Sequence, residues 1–170
     1  IATSAIKKID DVPIVMKAIK SAKNASTRIA ALHHLRGLQI DREELAEVIH
    51  ATALNAKNES VRGAAIEYLE DPVILKEVAF NDSYIMNRLN AAVKLKDEEH
   101  LAVLLHDESK KTGDRLNIST CKTIIEHISD ENILTRIAKN DLIFDLRKNA
   151  EEKVNNQSLQ QEITKSKQER

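Results

Sequence analysis

The stretch that decides the fold is residues 75–95, LKEVAFNDSYIMNRLNAAVKL, because residues 134–154, LTRIAKNDLIFDLRKNAEEKV, repeat it at a constant offset of 59. Leu75, Val78 and Ala79 correspond to Leu134, Ile137 and Ala138. Asn81-Asp82 corresponds to Asn140-Asp141, Arg88 to Arg147, and Ala91 to Ala150. A register held over so many positions marks a duplicated structural unit, and a repeat of this size is the signature of stacked supersecondary units.

Working outward, the second half of the unit recurs along the chain as an Arg, a small residue three later and an apolar residue four after that. Arg28, Ala31 and Leu35 form one copy, and Arg62, Ala65 and Leu69 another. Arg88, Ala91 and Leu95 form the third, and Arg147, Ala150 and Val154 the last. A weaker copy has Arg115 and Ile118 but places Lys122 at the third position. Ala5 to Ile9 reads as the tail of a further copy lacking its Arg. The steps between successive Arg residues, 34, 26, 27 and 32, leave room for two helices of about ten residues and two tight turns. Apolar residues fall at i, i+3, i+4 and i+7 in each predicted helix. One such helix pair cannot bury its own apolar stripe, so neighbours must stack.

The punctuation agrees. Asp71-Pro72 and Asp11-Val12-Pro13 read as helix starts. Asp41 with Glu44 has capping-box spacing. Gly37 is placed to end the first Arg helix in the left-handed conformation, and Ser26, Ser60 and Ser83 are placed as N-caps of Arg helices.

Composition supports helices and no strands. Of 170 residues 42% are hydrophobic but only 2% aromatic, with three glycines and two prolines. That leaves an aliphatic core and too little turn chemistry for a β fold. The net charge of −1 gives no global field toward nucleic acid or anionic lipid. Its distribution is uneven: residues 1–40 carry seven Lys/Arg against two Asp/Glu, and residues 41–100 seven against thirteen. The lone Cys121 rules out an internal disulfide. No apolar run reaches the roughly 20 residues of a membrane span. With no signal-peptide pattern and no initiator Met, the chain reads as a cytoplasmic piece of something larger.

The pattern Leu-x-x-Val/Ile-Ala, Asn-Asp, Arg-x-x-Ala-x-x-x-Leu resembles the HEAT-like (HEAT/armadillo-type) repeats, in a short, bacterial-looking form, over residues 1–166. The resemblance implies an all-α fold, a right-handed α-solenoid (superhelix) of antiparallel helix pairs. About five pairs and partial repeats at both ends fill a single domain over 1–166, with 167–170 as a frayed tail. The polar segment from Asn155, with Leu159 and Ile163 at helical spacing, would begin a next repeat or a linker helix. Such proteins usually act as scaffolds whose second helices line a concave face.

No nucleophile elbow, P-loop or dinucleotide fingerprint is present, so no catalytic residue is assigned. The six histidines lack one-face metal spacing, so no metal or cofactor is assigned. The Arg column, Arg28, Arg62, Arg88, Arg115 and Arg147, is read as a structural ladder bonding turn residues such as Asn24, Asn58, Asp82, Asp107 and Asp141, because a feature present in every unit suits stacking better than recognition. The binding candidates are the concave-face positions two and six residues after each Arg: His34, Tyr68, Asn90, Lys94, Asn117 and Asn149. With Glu67 and Glu70 nearby, they suit a basic or helical protein segment. The expected function is a non-catalytic protein–protein interaction scaffold. The alternatives are nucleic-acid binding through Lys7, Lys8, Lys17, Lys20 and Lys23, which lack accompanying aromatics, and a HEAT-like DNA glycosylase-type enzyme, which would show a pocket with a carboxylate and an aromatic clamp.

Overall fold

A computed structural model describes residues 3–111, 117–140 and 143–168. Among the described residues the chain is all-helical: eleven helices and no strand. They are α1 (Thr3–Ile6), α2 (Val12–Ser21), α3 (Ala25–Leu35), α4 (Arg42–Asn55), α5 (Glu59–Ile66), α6 (Pro72–Asn81), α7 (Ile85–Leu95), α8 (Glu98–Ser109), α9 (Ile118–Glu126), α10 (Glu131–Asn140) and α11 (Phe144–Gln168). The helices form two compact units, Ile1–Leu95 and Lys96–Arg170.

Helix starts follow from side chains that satisfy the first orphan N–H groups. Asp11 accepts from the Ile14 N–H, Asp41 from those of Glu43 and Glu44, and Asp71 from those of Val73 and Ile74. The Arg helices differ from expectation. Asn24 caps α3 through the Ser26 N–H, and Asn58 caps α5 through the N–H groups of Ser60 and Val61. Ser26 and Ser60 therefore lie inside the first turn, two residues past the cap. Before α7 it is Asp82 that accepts the Tyr84 N–H, while Ser83 accepts from Arg62. Gly37 is not left-handed either. The Gly37 N–H bonds the His34 carbonyl and the Leu38 N–H that of Leu35, tightening the last turn of α3 instead. The one non-glycine residue with positive φ among the described residues is Lys96, at 56°.

In the first unit α2, α4 and α6 each pack on the helix that follows them, after a three-residue turn. Successive members touch in two rows, α2 to α4 to α6 and α1 to α3 to α5 to α7. The second unit has the same pattern: α8 packs on α9, α10 on α11, α8 on α10 and α9 on α11. The short α1 covers only the start of the partial copy read at Ala5–Ile9, whose remainder lies in the following turn. At the other end α11 runs unbroken for 25 residues through the segment expected to open a next repeat or linker.

The Ala of each strong Arg copy lies fully inside this packing. Ala31, Ala65, Ala91 and Ala150 are all 0% exposed. A small residue at the tightest approach lets helix axes reach the lower end of the usual 8–10 Å separation. Leu35 and Leu69, one turn further, are fully buried beside them.

Gly63 in α5 tests how rigid that packing is. A Cβ there would come 3.0 Å from the Asn87 side-chain oxygen. Asn87 cannot retreat freely, because its amide donates to the Glu59 carbonyl and the Asp82 carboxylate. Gly63→Ala gains about 1 kcal/mol of helix propensity but disturbs buried hydrogen bonds worth about 1–3 kcal/mol. Denaturant titration should show a net loss of about 1 kcal/mol, and in an Asn87→Ala background the same substitution should stabilise.

Candidate interaction site

Two of the Arg positions, Arg28 and Arg62, are hydrogen-bonded to a preceding helix or to neighbouring turns. Arg62 is the most enclosed. Its Nε and Nη2 donate to the two carboxylate oxygens of Asp82 at 2.7 and 2.8 Å. Nη1 reaches the carbonyls of Ala56 and Lys57, and Nη2 also reaches Ser83 Oγ. One guanidinium therefore ties the turn before its own helix to the turn before the next Arg helix. Burial pushes the Asp82 carboxyl up. The hydrogen bonds from Arg62, the Tyr84 N–H and Asn87, with the Arg62 charge, outweigh this and hold it below the ordinary range. The hydrogen bond to Asp82, with the charges of Asp82 and Glu59, outweighs burial and raises the Arg62 guanidinium.

Arg28 makes a simpler version of the contact, donating from Nε to the Ile19 carbonyl at 2.6 Å. Arg88 and Arg147 are half-buried, and the Arg147 guanidinium lies 5.8 Å from the centre of the Phe144 ring. Arg115 and Asp141 lie outside the described residues.

The candidates six residues after an Arg also prove to be engaged, as does Lys153 at the same position after Arg147. His34 Nε2 bonds the Ile9 carbonyl, Lys94 Nζ donates to the Glu67 carbonyl at 2.8 Å, and Lys153 Nζ donates to those of Ile125 and Glu126. Glu67 ends α5, and Ile125 and Glu126 end α9. Each lysine thus places an ammonium on carbonyls at a preceding helix C-terminus, where the helix dipole favours a cation. Burial draws the Lys153 ammonium below its usual range, against the pull of Glu98 and Glu126. His34 and Lys94, expected on a binding face, are therefore better described as clamps between neighbouring helices. Asn117 also needs correction. It caps α9 by accepting from the Thr120 N–H, because α9 starts only at Ile118, and it precedes the helix face it was assigned to. Asn90 on α7 is exposed and Asn149 on α11 half-exposed.

Tyr68 obeys the same reach-back rule but ends in a different chemistry. Its hydroxyl shares a hydrogen bond with His33 Nδ1, and the two rings meet edge to face with centres 5.5 Å apart. The Arg36 guanidinium lies 4.0 Å over the ring, a cation–π contact. Tyr68 thereby forms one wall of a cleft of 880 Å³. Leu45 and the nearly buried Ile49 of α4 also line it, together with Arg42 and His50 of the same helix and with Glu67 and Glu70. Asp71 also lines it, with its carboxylate held as the α6 cap.

Sequence reading found Tyr68, Glu67 and Glu70 here but missed His33, Arg36, Arg42, Leu45, Ile49 and His50. The available signal was the repeat itself. A residue six after one Arg reaches the position five after the preceding Arg: Tyr68 meets His33 as Lys94 meets Glu67.

Among the described residues no group of three or more His, Cys, Asp or Glu side chains is arranged to hold a metal ion, and Cys121 is fully buried. No helix of the described residues is long and apolar enough to cross a membrane. No family model, no curated protein and no solved structure matches the chain.

Proposed function

We propose that this chain is a non-catalytic interaction scaffold, a right-handed α-solenoid of HEAT-like antiparallel helix pairs, which binds a segment of a partner protein in the Tyr68 cleft. The architectural part is supported by the two rows of helices within each unit, the three-residue turns and the Arg62 tie between successive turns. The functional part rests on one observation. The repeated positions Arg28, Arg62, His34, Lys94 and Lys153 are engaged in contacts within the fold, whereas the cleft between α4 and the ends of α3 and α5 combines the aliphatic Leu45, a fixed aromatic ring and charges of both signs.

That combination suits an extended or helical peptide. An aliphatic side chain would sit on Leu45 and Ile49 while a Lys or Arg meets Glu67 and Glu70 at the exposed rim. It suits a base-stacking clamp less well. One face of Tyr68 lies under Arg36 and its hydroxyl is held by His33, so the ring is committed to the wall.

Selection of a displayed random-peptide library on the chain tests the reading. It should enrich sequences that pair an aliphatic residue with a nearby Lys or Arg. A synthetic winner should lose about 30-fold in affinity on Tyr68→Ala, the loss expected for an aromatic anchor at about 2 kcal/mol. Asn90→Ala should leave its affinity unchanged. Failure of the library to enrich any sequence, or equal affinity for Tyr68→Ala, would reject the cleft as the site.

A further inference from the structure

The first unit carries a second surface, separate from the cleft. Lys17 and Lys20 lie three apart on α2 and so are neighbours on one helix face. Lys23 continues that spacing into the turn after α2, and Lys7 and Lys8 occupy the turn before it. All five are exposed, and none is paired with a carboxylate among the described residues. The other charges of residues 1–40 are largely engaged. The Asp11 carboxylate caps α2, Arg28 binds the Ile19 carbonyl and Arg36 covers Tyr68, leaving Asp10 as the only other acid. Five lysines therefore remain along and beyond a helix of about 15 Å, with only the Asp10 and Asp11 carboxylates to offset them.

We infer that this lysine row is a sequence-independent binding surface for the phosphate backbone of a nucleic acid. Ammonium groups on flexible stems are point-charge partners for phosphates. The sequence has no aromatic residue before Tyr68, so bases are not stacked and the contact carries no sequence readout. The neighbouring helix favours a polynucleotide over an anionic bilayer. α2 packs against α4, whose Glu43 and Glu47 are exposed about 10 Å away, one helix spacing. A flat anionic membrane resting on α2 would also meet these glutamates, and they would repel it. A nucleic acid running along α2 brings its phosphates to the lysine row lengthwise, whereas a bilayer covers both helices at once.

Fluorescence anisotropy of a short labelled duplex of mixed sequence, titrated with the 170-residue chain at several salt concentrations, tests this. Three to five phosphate contacts give a slope of log affinity against log salt between about −2.7 and −4.5, a loss of about 40- to 500-fold from 50 to 200 mM salt. Lys17→Gln/Lys20→Gln/Lys23→Gln should reduce the slope by about 3 with an unchanged circular dichroism spectrum. Should the triple variant misfold, Lys17→Gln and Lys20→Gln alone should each reduce it by about 1. The inference is overturned by no duplex binding at about 20 mM salt, where such contacts are strongest, by an unchanged slope in the folded variants, or by phosphatidylserine vesicles bound as tightly as the duplex. The Tyr68→Ala chain should bind the duplex normally, which separates this surface from the cleft.

Discussion

Asp82→Ala is expected to destabilise the fold by about 3–5 kcal/mol, the range for removing one partner of a buried ion pair. The side chains of Arg62 and Asp82 are only 11% and 3% exposed, so little water can reach the stranded guanidinium. The same substitution leaves the Tyr84 N–H and one Asn87 donor bond without their acceptor. A denaturant midpoint shift equivalent to less than 1 kcal/mol would mean that the pair is solvent-screened and the tie between turns is unimportant. The pH dependence follows from the lowered Asp82 carboxyl. A group held below its unfolded value, about 3.9 for aspartate, contributes fully above that value. Its contribution erodes as pH falls below it and is gone once pH is under the folded value. Wild type should therefore lose stability on acidification below about pH 4 more steeply than Asp82→Ala.

The second large effect is in the aliphatic spine. Leu35, which ends α3, and Leu69, just past the end of α5, are fully buried, four residues after the zero-exposure Ala31 and Ala65. Leu69→Ala should cost about 2–5 kcal/mol through lost burial and the cavity left behind. The converse change, Ala65→Leu, should cost about 1–3 kcal/mol by overpacking where helices approach most closely. Equal tolerance of both substitutions in thermal unfolding would show that the rows do not pack as tightly as these burial values require.

Much of this architecture was legible because it is periodic. The Arg, Ala and Leu spacing fixed which face of each Arg helix is buried, and Asp71-Pro72 and Asp11-Val12-Pro13 located two helix starts within a residue. The caps of the Arg helices were misplaced for a local reason. Asn and Ser are both good caps, and choosing between them requires knowing where the preceding turn ends. The shared run Ala-Lys-Asn-x-Ser-x-Arg at 22–28 and 56–62 carries that information, since the same Asn caps both helices. Asn117 was misassigned because its copy was the weakest and eight residues separate α8 from α9.

The site was harder to read for a deeper reason. A column of polar residues at one repeat position looks like a surface, yet His34, Lys94 and Lys153 reach the carbonyls of a preceding helix end or turn. Periodicity reports what every unit shares, and every unit shares the need to satisfy its helix ends. The cleft proposed as the binding site lies where units differ, as at Tyr68, and its lining includes Arg36, Ile49 and His50, which belong to no repeated motif.

The central claim is that recognition occurs at the unrepeated Tyr68 cleft while the repeated columns hold the helices together. Backbone amide NMR shifts recorded while a library-selected peptide is titrated into the chain test it most directly. The account predicts saturable shifts at Arg42, Leu45, Ile49, His50 and Tyr68, with Asn90, Lys94 and Asn149 unmoved. Shifts centred on Asn90 and Asn149, with the cleft silent, would contradict it.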